Sequence, residues 1–220
     1  MRFLNTIPFI LTVFNLLFGF ISIVFSLDFQ LSYAAISIMV AIFFDIIDGR
    51  LARILKISSN FGEEFDSLAD IVSFGVAPGI LIYTTLFKSY GLFGIVISSL
   101  IPICSAIRLA RFNIQKNTNY FSGLPTPTSA GIFASMVILN MGYSVYIASI
   151  LVILISYLMI SNVRYPNFKN IDFNEKVPLT LILLLLSVVP SMFDFNYIFL
   201  PFVVYLIFGL FGLSKEKQKV

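Results

Sequence analysis

The sequence predicts an all-α integral membrane protein, a polytopic bundle of about eight transmembrane helices with both termini cytoplasmic. Three observations predict it. Of 220 residues, 59% are hydrophobic and only 11% charged, with a mean hydropathy of +0.98, whereas a soluble domain carries charge on about a quarter of its residues. Apolar runs recur at the length of about 20 residues that a helix needs to cross a bilayer. The basic residues collect in every second polar segment between those runs.

Taken in order, the expected helices cover roughly 8–26, 31–56, 63–87, 91–112, 127–142, 145–162, 177–192 and 196–213. Only Arg2 precedes the first run and no small-residue cleavage site follows it, so it reads as a retained helix rather than a signal peptide. The fifth and sixth runs are divided by the short turn around Gly142. An even number of crossings places Arg2, Arg50, Arg53, Lys56, Arg108, Arg111, Lys116, Arg164, Lys169, Lys176, Lys215, Lys217 and Lys219 on one side, with Lys88 alone on the other. Such a bias orients a membrane protein with its basic side in the cytoplasm. It also accounts for the net charge of +3 without a nucleic-acid partner. The runs are too long for barrel strands. The expectation is one transmembrane domain over 1–220, with a core of about 5–170 and extra C-terminal helices at about 177–213.

The chain has no His, which excludes His-ligated metal sites, Ser-His-Asp triads and HExxH proteases. Cys104 is the only cysteine, so neither an internal disulfide nor a thiolate cluster is available. Chemistry must rest on carboxylates, hydroxyls, Lys or Arg.

Four acids lie where none is expected, inside apolar helices: Asp45, Asp48, Asp66 and Asp70. An ionisable group at membrane depth is costly and usually faces a cavity or a partner. Asp45 and Asp48 are three apart, Asp66 and Asp70 four apart, so each pair shares a helix face. A hairpin turning near residue 57 sets Asp48 opposite Asp66 and Asp45 opposite Asp70, all about 14–20 Å of helix from the turn at 1.5 Å per residue. Four carboxylates that close need protons or cations to neutralise them. Oxygen-only ligands select hard cations such as Mg²⁺, Mn²⁺ or Ca²⁺, and paired divalent ions serve phosphoryl chemistry. Around them, Gly49 lets a bulky group approach the backbone and Ala52 is small on the same face. Arg53 on that face suits phosphate oxygens, Gly62 opens the next helix, and Ser59 lies within reach of a headgroup. On charge alone, structural salt bridges with Arg50, Arg53 and Lys56, or an ion-coupled transport pathway, stay open as alternatives.

The spacing Asp45-x2-Asp48-Gly49-x2-Ala52-Arg53-x8-Gly62-x3-Asp66-x3-Asp70 resembles the signature of the CDP-alcohol phosphotransferases at all eight fixed positions. The resemblance implies that Asp45, Asp48, Asp66 and Asp70 hold two divalent cations, Mg²⁺ or Mn²⁺, and that Asp70 is also the general base. It assigns Gly49, Ala52, Arg53, Ser59 and Gly62 to the CDP and lipid phosphates; Asn15 either reaches toward the same nucleotide or makes an ordinary polar contact between helices. A second stretch, Ile107 to Asn113 followed by Phe121 to Pro127 and Ser129-Ala130-Gly131, is similar to the serine-accepting branch of that family, as are Thr12, Asn15 and Gly19. Arg108 and Arg111, three apart at a cytoplasmic helix end, then suit the carboxylate of the acceptor serine or a lipid phosphate, with positive-inside anchoring as the alternative. The implied reaction transfers a phosphatidyl group from CDP-diacylglycerol, or an ether-lipid analogue, to L-serine with release of CMP. Inositol phosphate, glycerol phosphate, choline and ethanolamine are the rival acceptors. The resemblance further implies a homodimer in the bilayer. With the short loops, it suggests the plasma membrane of a prokaryote, the site facing the cytoplasm.

Overall fold

The computed structural model describes residues 7–55, 59–114, 120–140, 142–166 and 197–210. Helix α1 (Ile7–Leu27) and helix α2 (Leu31–Ile54) form a tightly packed hairpin. Helix α3 (Asn60–Asp70) runs without a break into a π-helical stretch, Ile71–Val76, helix α4 (Ala77–Ile82), a second π stretch, Tyr83–Phe87, and a 3₁₀ turn, Lys88–Tyr90. Gly91, at φ +54°, reverses the chain into helix α5 (Gly91–Ile114). Helices α6 (Thr126–Ile138), α7 (Val145–Ile160) and α8 (Leu200–Leu210) follow. Among the described residues, three helical runs are long and apolar enough to cross a membrane: Ile7–Leu27, Leu31–Ile54 and the continuous Asn60–Ile114. The last, at 55 residues, is far longer than one crossing needs, and the reversal at Gly91 divides it in two.

The described helices follow the expected order, with α6 shorter than the run that predicts it. The expected helix at 177–192 lies outside the described residues, as do Lys56 and the basic tail. Among the described residues, one element departs from an all-α chain. Strand β1 (Tyr120–Ser122) pairs antiparallel with strand β2 (Arg164–Pro166) in a two-stranded ribbon across the ends of α5, α6 and α7.

Burial is inverted along α1. Its buried positions are Thr12, Asn15, Gly19, Ser22 and Ser26, spaced three and four apart on one face. Its exposed positions include Phe9, Ile10, Val13, Phe14, Leu17, Phe20 and Val24. Small and polar residues at helix contacts with apolar side chains outward is the pattern of a membrane protein. Gly19 shows how close the contact is: a Cβ there would sit 2.7 Å from Ser73 Cα. The core between helices holds Ala34, Ala35, Ile38 and Ala41 of α2 with Phe74, Leu81, Ile101 and Phe133.

At the end of the bundle away from the acids, the Lys88 ammonium sits 3.9 Å above the ring of Phe29, in the loop between α1 and α2. This cation–π contact ties together the two loops expected to lie opposite the basic side.

Candidate functional site

Helices α2 and α3 carry the four acids to one place. Ser59 starts α3: its hydroxyl accepts from Gly62 N at 3.0 Å, satisfying one of the free N–H groups of the first turn. From that cap the α3 face runs through Asp66 to the buried Asp70. On α2, Asp45 is half-buried and Asp48 buried. One carboxylate oxygen from each of Asp45, Asp48 and Asp66 lies within 4.8 Å of the others. Asp70 lies near enough to Asp45 for the two charges to interact. Such a set of oxygens suits a hard divalent cation, and like charges this close need protons or cations to neutralise them.

Helix α1 supplies the donors that orient two of the acids. Thr12 Oγ1 lies 3.0 Å from Asp48 Oδ2, and Asn15 Nδ2 donates to Asp70 Oδ1 at 3.1 Å. Thr12 and Asn15 are three residues apart, on the face of α1 that meets α3 and the π stretch. That stretch begins directly after Asp70, and Ala77 N donates back five residues to Val72 O. Local π geometry of this kind recurs at functional sites. Here it brings Ser73 Oγ to Asn15 O at 2.9 Å, so α1 is pinned beside the acid it serves.

Of the two expectations for Asn15, the fold shows a polar contact between helices, its amide meeting Asp70. The signals for Thr12 and Asn15 were the helical spacing and the presence of polar residues in an otherwise apolar helix. Gly49 has open space around it, with nothing within 4 Å of an added Cβ, and its carbonyl accepts from Arg53 Nε at 2.6 Å. Arg53 is exposed, while Ala52 and Gly62 are half-buried. These positions border the acids on the side where α2 ends and α3 begins.

Arg108 and Arg111 separate in role. Arg108 is buried on α5, donates from Nη1 to Thr126 Oγ1 at 3.2 Å and interacts electrostatically with Asp70 and Asp45. Arg111 reaches the end of α7, donating to Ile160 O at 2.8 Å where the last helical carbonyls lack partners. Gly123, at φ +81°, lies against the same helix end: its N–H donates to Val163 O at 2.9 Å, and a Cβ would sit 2.2 Å from Met159 O. Leu124 N adds a bond to Leu158 O at 3.0 Å. The Gly123-to-Pro127 corner therefore fixes the start of α6, and with it Thr126 beside Arg108. Asn113 and Ser67 bond each other between α5 and α3, with Asn113 Nδ2 3.1 Å from Ser67 Oγ. Tyr205 of α8 lies beside Arg108 and stacks on Tyr165 with ring centroids 5.6 Å apart. Tyr205 carries no signal in the sequence, because nothing local links residue 205 to residue 108.

The family model described as CDP-alcohol phosphatidyltransferase matches residues 5–161, which include the four acids and both arginines. The chain is 38% identical over 191 residues to the CDP-diacylglycerol–serine O-phosphatidyltransferase of Helicobacter pylori strain J99, covering 83% of this chain and 80% of that one. It is 37% identical over 169 residues to the protein of that name from Bacillus subtilis strain 168, covering 76% and 93%. It is 38% identical over 163 residues to the archaetidylserine synthase of Methanothermobacter thermautotrophicus, covering 73% and 69%. The chain belongs to the CDP-alcohol phosphatidyltransferase family.

Proposed function

We propose that the chain transfers a phosphatidyl group from CDP-diacylglycerol, or an ether-lipid analogue, to L-serine, releasing CMP. The observation that carries this reading is the meeting of four carboxylates from α2 and α3 at the buried end of a helix pair, in a chain whose relatives in bacteria and an archaeon share serine in their names. Asp45, Asp48, Asp66 and Asp70 would hold two divalent cations, Mg²⁺ or Mn²⁺. When bound, the cations draw charge from the pyrophosphate oxygens and balance the acids.

The protein's own groups do the rest. Gly49, Ala52 and Gly62 leave room for the CDP group, and Arg53 with Ser59 contacts its phosphates. Asp70, held by Asn15, takes the proton of the serine hydroxyl. The serine oxygen then attacks the lipid-side phosphorus, forming a new P–O bond while the P–O bond to CMP breaks. CMP departs with that bonding pair, and Asp70 returns its proton to water. Arg108 faces the acceptor, and Arg111 sets the end of α7 that closes that side. The apolar outer faces sit in lipid, so the acyl chains stay in the bilayer. The site opens to the cytoplasm of a prokaryotic plasma membrane, and the enzyme works as a homodimer.

The test is CMP release by purified protein in detergent with CDP-diacylglycerol and a divalent cation, comparing serine, inositol phosphate and glycerol phosphate. Release that depends on serine is expected. Release with a phosphorylated acceptor and not with serine would keep the family and discard the serine assignment. Ion flux without CMP release would point to transport.

A further inference from the structure

Two buried polar atoms beside Asp70 have no hydrogen-bond partner: Asn15 Oδ1 and Arg108 Nε. Asn15 is 0% and Arg108 6% exposed. Buried donors and acceptors left unmade are costly and few in folded proteins, so each calls for an explanation.

The orientation of the Asn15 amide is fixed. Its Nδ2 donates to Asp70 Oδ1, and a carboxylate can only accept, so Oδ1 must be the end left over. The backbone is pinned as well, because Asn15 O accepts from Ser73 Oγ and Gly19 lies against Ser73. Arg108 is fixed from the other side. Nη1 is held by Thr126 Oγ1, which leaves Nε and the adjacent terminal nitrogen as a parallel fork of the kind that grips a carboxylate. An orphan acceptor on α1 and an orphan donor on α5 thus belong to two residues that both interact with Asp70.

We propose that Asn15 Oδ1 and the Nε–Nη2 edge of Arg108 are the two poles of a zwitterion site, binding the ammonium and the carboxylate of an α-amino acid acceptor whose hydroxyl faces Asp70. The proposal rests on the serine reading and adds how serine is told from other alcohols. Serine carries an ammonium, a carboxylate and a hydroxymethyl group on one carbon, matching acceptor, donor and base. Phosphorylated acceptors bring no ammonium and would leave Asn15 Oδ1 unpaired, which a site built of hydrogen-bonding groups rejects strongly. Asn15 thereby has two tasks, orienting Asp70 through Nδ2 and selecting the acceptor through Oδ1.

The test uses the full-length enzyme and two fragments of serine as competitive inhibitors of serine-dependent CMP release. 3-Hydroxypropionate keeps the carboxylate and lacks the ammonium; ethanolamine does the reverse. In the wild type both should bind roughly tenfold or more weaker than serine. In Asn15→Leu, and in the smaller Asn15→Ser, KM for serine should rise roughly tenfold while the 3-hydroxypropionate inhibition constant moves less than about threefold. Arg108→Gln should mirror this, weakening serine and 3-hydroxypropionate and sparing ethanolamine. The proposal is overturned if Asn15 variants weaken serine and 3-hydroxypropionate equally, or lower kcat with KM for serine unchanged. It is also overturned, whatever the variants do, if the wild type binds 3-hydroxypropionate as tightly as serine. A wild type that releases no CMP with serine sinks the serine reading itself, and the zwitterion site with it. Normal turnover with either pattern above sinks the zwitterion site alone.

Discussion

At the scale of the residue, the account turns on Asp70. A general base contributes roughly 10²–10⁴-fold to a rate, so Asp70→Asn should lose at least about a hundredfold in CMP release while still binding CDP-diacylglycerol, as measured by turnover and by lipid-dependent thermal protection. Asp48→Asn should act differently: a higher metal concentration for half-maximal rate, because one ligand oxygen of the group at 4.8 Å is weakened. Gly123→Ala tests backbone rather than chemistry. Its φ of +81° and the 2.2 Å approach to Met159 O leave no room for a Cβ, so detergent unfolding should show a loss of about 1–3 kcal/mol. The four acids were legible in the sequence because charge inside an apolar run is conspicuous and their spacing gives a shared face. The bonds from Thr12 to Asp48 and from Asn15 to Asp70 span 36 and 55 residues. No local pattern ties such partners together, so sequence showed polar residues on α1 without showing what they hold.

At the scale of the element, helices in this chain are readable because the bilayer sets their length, and α1, α2, α5 and α7 begin within a residue of where the hydropathy places them. The site depends on features hydropathy does not carry. The π stretch after Asp70 alters the helical phase, and with it which side chains reach α1. The ribbon of β1 and β2 joins residues more than 40 positions apart in strands of three residues each, too short to leave an alternating pattern. Arg111 illustrates the limit. In sequence it is one of two basic residues three apart; in the fold it closes the end of α7 through Ile160 O. Arg111→Gln should therefore lower the unfolding temperature in detergent, by the equivalent of about 1–3 kcal/mol for a charged hydrogen bond to a helix end.

At the scale of the whole molecule, the inverted burial of α1 and the contact between Lys88 and Phe29 set one end of the bundle against the other. Cys104 is the only cysteine and is buried, so it gives little background to thiol labelling. In intact cells a membrane-impermeant thiol reagent should label Ser89→Cys and leave Asn60→Cys untouched; inside-out vesicles should give the reverse. Both positions are exposed, and labelling of both from one side would refute the topology. The account as a whole is tested most directly by the product. Protein in liposomes containing CDP-diacylglycerol is supplied with serine and Mg²⁺, and lipids and nucleotides are followed by mass spectrometry. Phosphatidylserine and CMP should appear one to one, stop when the cation is chelated, resume when it is restored, and stay absent with Asp70→Asn. Phosphatidylserine formed at the wild-type rate by Asp70→Asn, or with the cation removed, would contradict the placement of the reaction at the four acids.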